Sequence, residues 1–197
     1  MVKKLTTALF AFLFASCSPP PVDPFDRAIE LEMQGLYAEA IAVLDTLIAA
    51  DSTHIAAWVS RGNNKIQLRD YPGALDDLKA AARIRSQKYG FMQVELMGRL
   101  NDPKDVPLDE LYFSRGVAYF YADSINQAYS DLSFCIKHNY SMQESLYWRG
   151  CTYWKAGMKT EAYFDFVNVI RLSAEDDEYA ISAQKYLDLL GANKPKE

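Results

Sequence analysis

Two adjacent stretches of this sequence repeat each other at a spacing of 34 residues. Residues 109–142 read DELYFSRGVAYFYADSINQAYSDLSFCIKHNYSM, and residues 143–176 read QESLYWRGCTYWKAGMKTEAYFDFVNVIRLSAED. Gly116 and Gly150 share the eighth position of the two units, and both units have alanine at the twentieth. A fixed period of this kind is typical of helix–turn–helix repeats. Small side chains at those positions let paired helices approach closely, so the pattern predicts stacked helical hairpins.

The same pattern continues towards the N-terminus. Small residues fill the eighth position at Ala28, Gly62, Gly116 and Gly150, and the twentieth at Ala40, Ala74, Ala128 and Ala162. The sequence therefore predicts four units, at about 21–54, 55–88, 109–142 and 143–176.

This pattern resembles the tetratricopeptide repeat (TPR), and Trp58 stands where that family has its tryptophan, four residues before Gly62. The resemblance implies an all-α protein, a right-handed α-solenoid of about four helix–turn–helix repeats within residues 25–191. Residues 177–190 have the apolar periodicity of one more amphipathic helix. A solenoid needs such a helix to cover its last apolar face, so we expect a C-terminal capping helix.

An insertion of 20 residues, at 89–108, separates the second and third units. We expect it to lengthen the second helix of the preceding unit and then to break near Pro103. Its apolar residues between 89 and 100 indicate that this part packs on another surface. A long insertion in a repeat array often lies on the binding face, and plain padding is an equally open alternative.

The first residues have the anatomy of a targeting segment. Lys3 and Lys4 precede a short apolar run, which predicts a signal peptide over 1–16. The run ends Phe14-Ala15-Ser16-Cys17, which resembles the lipobox of bacterial lipoproteins and differs from it by Phe14 in place of leucine. The resemblance implies an acylated Cys17 at the mature N-terminus, most often in the outer membrane. An ordinary secretory signal with an incidental cysteine is the alternative.

Residues 17–24 follow as a tether rich in proline, which favours an extended and fairly stiff chain. A spacer between a lipid and a folded domain is its natural interpretation.

Composition excludes several classes of function. The formal charge is −5, or −7 without Lys3 and Lys4, and no basic stripe indicates nucleic-acid binding. Two histidines and three scattered cysteines do not suggest a metal site. No catalytic or cofactor-binding motif is present, so we expect neither an enzyme nor a cofactor. His54 and His138 are expected in exposed loops.

Two cysteines lie in the predicted repeats. Cys135 occupies a packing position, which favours a small core side chain. A bridge between Cys135 and Cys151 remains possible in an oxidising envelope, although the two side chains are expected to point to different faces.

An arginine and an aspartate recur with the period. Arg61, Arg115 and Arg149 each precede the small residue, and Asp77, Asp131 and Asp165 lie sixteen residues further on. We interpret them as ion pairs that join the two helices of each hairpin. A ligand-binding row of arginines is the less favoured alternative, because these positions face the partner helix.

The TPR resemblance implies a concave groove lined by the second, fifth, ninth, twelfth and thirteenth positions of each first helix. At these positions the groove residues we predict are Val59, Asn63, Ile66, Phe113, Val117, Phe120, Tyr121, Tyr147, Trp154 and Lys155. Val59 stands where the carboxylate-clamping variant of the family has lysine, so that clamp is not supported. The trough is largely aromatic and apolar. Either a partner segment fills it or the insertion covers it.

The resemblance thus implies a lipid-anchored scaffold of the bacterial envelope that binds a peptide or helix of a partner protein in this groove. The alternative is an envelope enzyme or small-ligand binder that uses residues 89–108 as a lid. A compact pocket with convergent polar groups would favour the second function. The sequence does not determine the partner, the assembly pathway or the oligomeric state.

The targeting segment gives the first testable prediction. Mass spectrometry of the protein from its own envelope should show loss of residues 1–16 and an acylated Cys17 at the N-terminus. Cys17→Ser should release the protein from the membrane fraction, because the lipid is its anchor. If Cys17→Ser protein stays as firmly in the membrane as wild type, the lipid-anchor interpretation is wrong.

Overall fold

The computed structural model describes residues 22–90, 102–174 and 176–191. These residues form nine helices and no strand: α1 Pro24–Met33, α2 Tyr37–Ala50, α3 Ile55–Gln67, α4 Tyr71–Tyr89, α5 Leu108–Tyr121, α6 Ile125–Lys137, α7 Met142–Lys155, α8 Lys159–Leu172 and α9 Glu178–Leu189. The helices pair as α1–α2, α3–α4, α5–α6 and α7–α8, and α9 closes the series. The expected all-α fold of four hairpins with a closing helix is confirmed.

The helices stack in the order of the chain. Every helix packs against the one before it and the one after it, and α3, α5, α7 and α9 also contact each other in succession. The first helices of neighbouring hairpins therefore form one continuous layer. The second helices form the other layer, and together the layers make an α-solenoid.

Short polar side chains begin several helices. The Asp23 carboxylate accepts a hydrogen bond from the Phe25 amide, Asp70 from Gly73 and Asp177 from Ala180. His54 caps α3 in the same way, since its Nδ1 accepts from the Ala57 amide at 3.1 Å. The expectation of an exposed His54 is wrong, because this cap and the ring of Phe25 bury it. His138 is exposed as expected.

The turns between paired helices share one left-handed residue. It is Gly35 in the first hairpin (φ 74°) and Gly157 in the fourth (φ 77°), with Arg69 and Asp123 in the same conformation between them. All four occupy the fifteenth position of the period. The turn geometry is thus repeated even where the residue is not glycine, at a cost in backbone energy.

In three hairpins the glycine at the eighth position lies close against the second helix. A Cβ added to Gly62 or Gly116 would lie 2.9 Å from the Cγ of a leucine on the second helix, and one added to Gly150 would lie 2.8 Å from the Phe166 ring. Phe166 is fully buried. The helices approach this closely because the glycines carry no side chain there.

The predicted ion pairs are confirmed in three hairpins. Each is bidentate: in α5–α6 the Arg115 Nε and Nη2 donate to the two Asp131 oxygens at 2.7 and 2.9 Å. The pairs Arg61–Asp77 and Arg149–Asp165 have the same geometry. Since the aspartates are buried, these arginines are occupied in joining paired helices and are not a ligand-binding row.

The second helix of this hairpin is longer than that of the first, since α4 has 19 residues where α2 has 14, but it ends at Tyr89, before the expected break near Pro103. Residues 91–101 lie outside the described part of the chain. The returning segment, 102–107, packs back on the solenoid: Val106 is buried in the core, and the Arg85 guanidinium donates to its carbonyl oxygen at 2.6 Å.

The same segment also reaches the preceding hairpin junction. The Ala56 amide donates to the Lys104 carbonyl, and the Lys104 ammonium pairs with Asp51 at 2.7 Å. At the other side, Lys88 pairs with both Asp102 and Asp105. These contacts join the returning segment both to the second hairpin and to the loop that precedes that hairpin.

Within the described ranges, no helix is long and apolar enough to cross a bilayer. Cys17, the signal peptide and most of the tether lie outside those ranges, so the anchor stays a prediction.

The close approach at Gly150 gives a stability prediction. Gly150→Ala should lower the free energy of unfolding by about 1–3 kcal/mol, since the new methyl group meets the buried Phe166 ring. Denaturant unfolding followed by circular dichroism measures the change. In a Phe166→Ala background the same substitution should cost much less. An equal cost in both backgrounds would contradict the steric explanation.

Candidate functional site: the groove of the first helices

The predicted groove residues divide by exposure. Val59 and Val117 are 2% and 8% exposed and belong to the core, so a partner has little access to them. The others are partly or fully accessible: Asn63, Ile66, Phe113, Phe120, Tyr121, Tyr147, Trp154 and Lys155. The accessible groove is therefore concentrated on α5 and α7, with a smaller contribution from α3.

The twelfth-position rings lie at the junctions between hairpins. Phe120 contacts Trp148 of the next first helix with centroids 5.3 Å apart, and Trp154 contacts Tyr186 of α9 at the same distance. These rings are half-buried and help to hold successive first helices together. Their truncation would therefore cost stability as well as any binding.

Tyr121 is the most exposed aromatic residue of the predicted set, at 37%. One face stacks on Tyr71 of α4 with centroids 4.8 Å apart, and its ring also meets Phe120 and Trp148. These contacts hold the ring in place and leave part of it accessible. An immobilised, partly exposed ring is a suitable binding surface, since little side-chain entropy remains to be lost.

Lys155 lies beside this aromatic group. Its ammonium is 4.8 Å from the Phe120 ring centroid, donates to the Phe120 carbonyl at 3.1 Å and pairs with Asp123. The predicted groove lysine is thus tied to the preceding hairpin.

Sequence reasoning missed a polar junction between the first two hairpins. The Glu32 carboxylate accepts from the Asn64 amide at 2.6 Å and also from the Ser60 hydroxyl. Asn64 is buried, whereas the predicted Asn63 is partly exposed. Glu32 occupies the twelfth position of the first repeat, as Phe120 does in the third, and both side chains contact the next first helix. The position of Glu32 in the period could therefore have predicted this contact.

The groove edge where α5, α7 and α9 begin is acidic. Glu110, Glu144 and Glu178 lie in the first turns of these helices, and we call them the acidic edge. Sequence reasoning missed them, although glutamate recurs there at the period of 34 as the second position.

Four half-buried aromatic rings lie next to the acidic edge. Phe113 contacts Tyr140 with centroids 6.0 Å apart, and Tyr147 contacts Tyr179 at 5.1 Å. Carboxylates and rings thus occupy the same end of the groove.

Comparison with solved structures identifies the architecture. YrrB, a TPR protein with an unusual peptide-binding site, superposes with a TM-score of 0.59 over 87% of this chain and 78% of that one, at 18% sequence identity. The chain has the tetratricopeptide-repeat fold. Two further TPR-like matches are TTC0263, a thermophilic TPR protein of Thermus thermophilus (TM-score 0.48, 14% identity, 83% of this chain and 97% of that chain), and PilW, a widely conserved type IV pilus biogenesis factor (TM-score 0.41, 18% identity, 88% and 93%).

By sequence, no family model matches the chain, and no curated protein matches it significantly.

The electrostatics of the TPR groove are uneven. Burial, and then the neighbouring Asp109, raise the pKa of Glu110. Burial is the larger cause that raises the pKa of Tyr140 to about 12, and the negative charge of Glu110 is the next. The pKa of Tyr179 is raised in the same way, mainly by burial and then by the charge of Glu144. Within the described residues no cation pairs with any glutamate of the acidic edge. The carboxylates at this end of the groove therefore have no cationic side chain of the described residues as a direct partner.

The floor of the fourth repeat contains a buried thiol. Cys151 is 2% exposed and contacts the hydroxyls of Tyr147 and Tyr186. Cys151 and Cys135 are both free and buried, so the structure has no bridge between them. The Cys135 thiol instead donates to the Asp109 carbonyl oxygen at 3.3 Å.

Nothing in the described part of the TPR domain gathers groups for metal binding. One hollow of about 290 Å³ lies on the outer side, between α8 and the end of α9, lined by Lys159, Thr160, Tyr163, Phe164 and Leu190. Its lining contains no pair of acidic, basic or nucleophilic groups arranged for catalysis.

Because its thiol and phenol groups are buried, we predict that this protein becomes less stable to unfolding at alkaline pH. Burial raises the pKa of Cys151 to about 11, above the value of about 8.5 that is usual in unfolded chains. Burial, with a smaller contribution from Cys151, raises the pKa of Tyr186 to about 12, above the usual value of about 10. The folded state therefore holds these protons more tightly. This contribution to stability is complete below about pH 8.5 and is lost as pH rises towards 12.

The urea midpoint should accordingly fall between pH 8 and pH 11. Tyr186→Phe should reduce that fall, and Tyr163→Phe, which alters an exposed tyrosine, should leave it unchanged. The same fall in wild type and Tyr186→Phe would show that this phenol does not contribute.

Proposed function

We propose that this chain is a lipid-anchored scaffold of the bacterial envelope that binds a peptide or helix of a partner protein in its groove. The observation that carries this proposal is the set of partly exposed aromatic rings on the first helices of the third and fourth repeats. It contains Phe113, Phe120, Tyr121, Tyr147 and Trp154.

The arrangement of this surface supports binding of an extended or helical segment. The rings come from successive helices, so they follow the long direction of the solenoid. Aromatic side chains are frequent anchors in protein interfaces, because they bury a large area with few rotatable bonds. The peptide-binding site of YrrB, on the same fold, makes a peptide ligand a reasonable choice for this chain as well.

The described residues offer no observation that matches the enzymatic alternative. It requires a compact pocket with convergent polar groups, whereas the hollow beside α8 is lined mainly by two aromatic rings and a leucine. The central part of the proposed lid, 91–101, lies outside the described residues. A non-catalytic scaffold is therefore the function we propose.

The envelope location rests on the targeting segment and the tether. The lipobox-like end at Cys17 provides the anchor, and the prolines between Ser18 and Pro24 separate the folded domain from the lipid. The partner is accordingly an envelope protein, and the sequence has no basic stripe that would indicate a nucleic-acid partner.

Site-specific photo-crosslinking tests this proposal. Tyr121 in the groove and Tyr163 on the outer side of α8 are 37% and 36% exposed, which makes them a matched pair. Each is replaced in turn by p-benzoylphenylalanine in the full-length protein, and cells are irradiated before the envelope is isolated. We expect a discrete crosslinked protein from position 121 that is absent from position 163.

Competition then identifies the surface. A peptide from the crosslinked region of the partner should bind the purified protein and suppress the adduct at position 121. Adducts from both positions, or from position 163 alone, would place the interaction outside the groove and contradict the proposal.

A further inference from the structure

One buried titratable group has no part in the proposed binding function. The His54 side chain is 6% exposed and lies where three segments meet: the start of α1, the first turn of α3 and the returning segment 102–107. The Phe25 ring covers the imidazole, with the two ring centroids 5.1 Å apart. We call this meeting point the His54 junction.

The hydrogen bond of His54 fixes its protonation state. Nδ1 accepts from the Ala57 amide at 3.1 Å, so the proton of the neutral imidazole is on Nε2. An imidazolium has no acceptor, and protonation would therefore remove the side-chain cap of α3 and leave an amide without its partner. It would also place a full positive charge at a helix N-terminus, which already carries partial positive charge.

Charged groups around the junction act in both directions. Asp51 from the loop before α3 and Asp23 from the start of α1 favour the imidazolium, whereas Lys104 of the returning segment opposes it. Asp51 is already paired with the Lys104 ammonium at 2.7 Å. Burial has the largest influence, and it lowers the pKa of His54. The balance therefore favours the neutral imidazole.

The junction also connects neighbouring parts of the solenoid. Phe25 packs against both the buried cluster of the first hairpin and that of the second. The Ala56 amide, next to the capped Ala57 amide, donates to the Lys104 carbonyl oxygen at 2.8 Å. Loss of the cap would thus weaken contacts of α1, of α3 and of the returning segment together.

We propose that His54 is a pH-sensitive latch: its neutral form holds α1, α3 and the returning segment together, and its protonation loosens this junction while the third and fourth repeats stay folded. This inference goes beyond the proposed function. The α1 helix follows the tether directly, so the latch controls how firmly the tether end of the chain is held to the repeats that contain the groove.

Proton binding sets the direction of the pH dependence. When the junction opens, His54 becomes exposed and takes the usual pKa of about 6.5, above its pKa in the closed state. The open state therefore binds the proton more readily. Closure is fully stabilised above about pH 6.5 and weakens as pH falls towards the lower pKa of the closed state. At pH 5 the shift towards the open state has an upper limit of about thirtyfold.

Hydrogen exchange followed by mass spectrometry tests the latch in the full-length protein. After correction for the intrinsic exchange rate at each pH, amides of α1, of the first turn of α3 and of 102–107 should exchange at least about tenfold faster at pH 5 than at pH 7.5. Amides of α7 and α8 should change less than about twofold. Equal acceleration in all these segments would mean general acid destabilisation and would overturn the inference.

The two histidines of the chain provide a matched pair of variants. His54→Asn keeps an acceptor at the N-cap but cannot titrate, so exchange at the junction should become nearly independent of pH. His138→Asn removes the exposed histidine and should behave as wild type. Acceleration that persists in His54→Asn, or that disappears in His138→Asn, would assign the effect to another group and contradict the latch.

Proton NMR of the His138→Asn protein gives a second measurement that leaves position 54 unchanged. A single imidazole Cε1–H resonance then remains, and its titration midpoint should lie below about pH 6.5. A midpoint at or above that value would show that the folded state does not disfavour the imidazolium. That result would overturn the proposal even if His54→Asn failed to fold.

Discussion

The contact between the eighth and twenty-fourth positions of each repeat is the constraint on which the rest of this structure depends. Gly116 lies against Leu132, and Gly150 lies against the Phe166 ring, with no room for a further methyl group. This contact sets how closely the two helices of a hairpin approach. Since successive hairpins pack on each other through the same helices, the spacing of the whole solenoid follows from it, including the separation of the first helices that line the groove.

Polar contacts then fix the register that steric contact leaves free. The bidentate pair between Arg115 and Asp131 recurs at the same spacing in two other hairpins. Its two hydrogen bonds require a particular rotation of one helix relative to the other, and its burial makes an unpaired partner costly. Cation–π contacts add to this, since the Arg115 guanidinium also lies 4.5 Å from the Tyr112 ring centroid. Each of these hairpins is thus held by close packing of its helices and by a bidentate ion pair between them.

The groove is a consequence of this repetition. Identical positions of successive first helices come side by side, so a residue that recurs in the sequence becomes a row in space. Positions that face the next repeat, such as Phe120, are used partly for stacking, and positions at the helix ends, such as Tyr121, stay accessible. The same rule produces the acidic edge. Binding chemistry in such a protein is therefore a property of rows and not of single residues.

The sequence by itself determined the period, the hairpins, the closing helix and the arginine–aspartate pairs, because each depends on contacts at a fixed separation along the chain. Tertiary structure alone decided which groove positions are accessible. Val59 and Val117 are buried although they occupy groove positions of the period, and His54 is buried because Phe25 packs on it. The returning segment around Val106 fills the core between two hairpins by contacts that no period predicts. Local spacing encodes the repeat, and burial depends on how separate repeats meet.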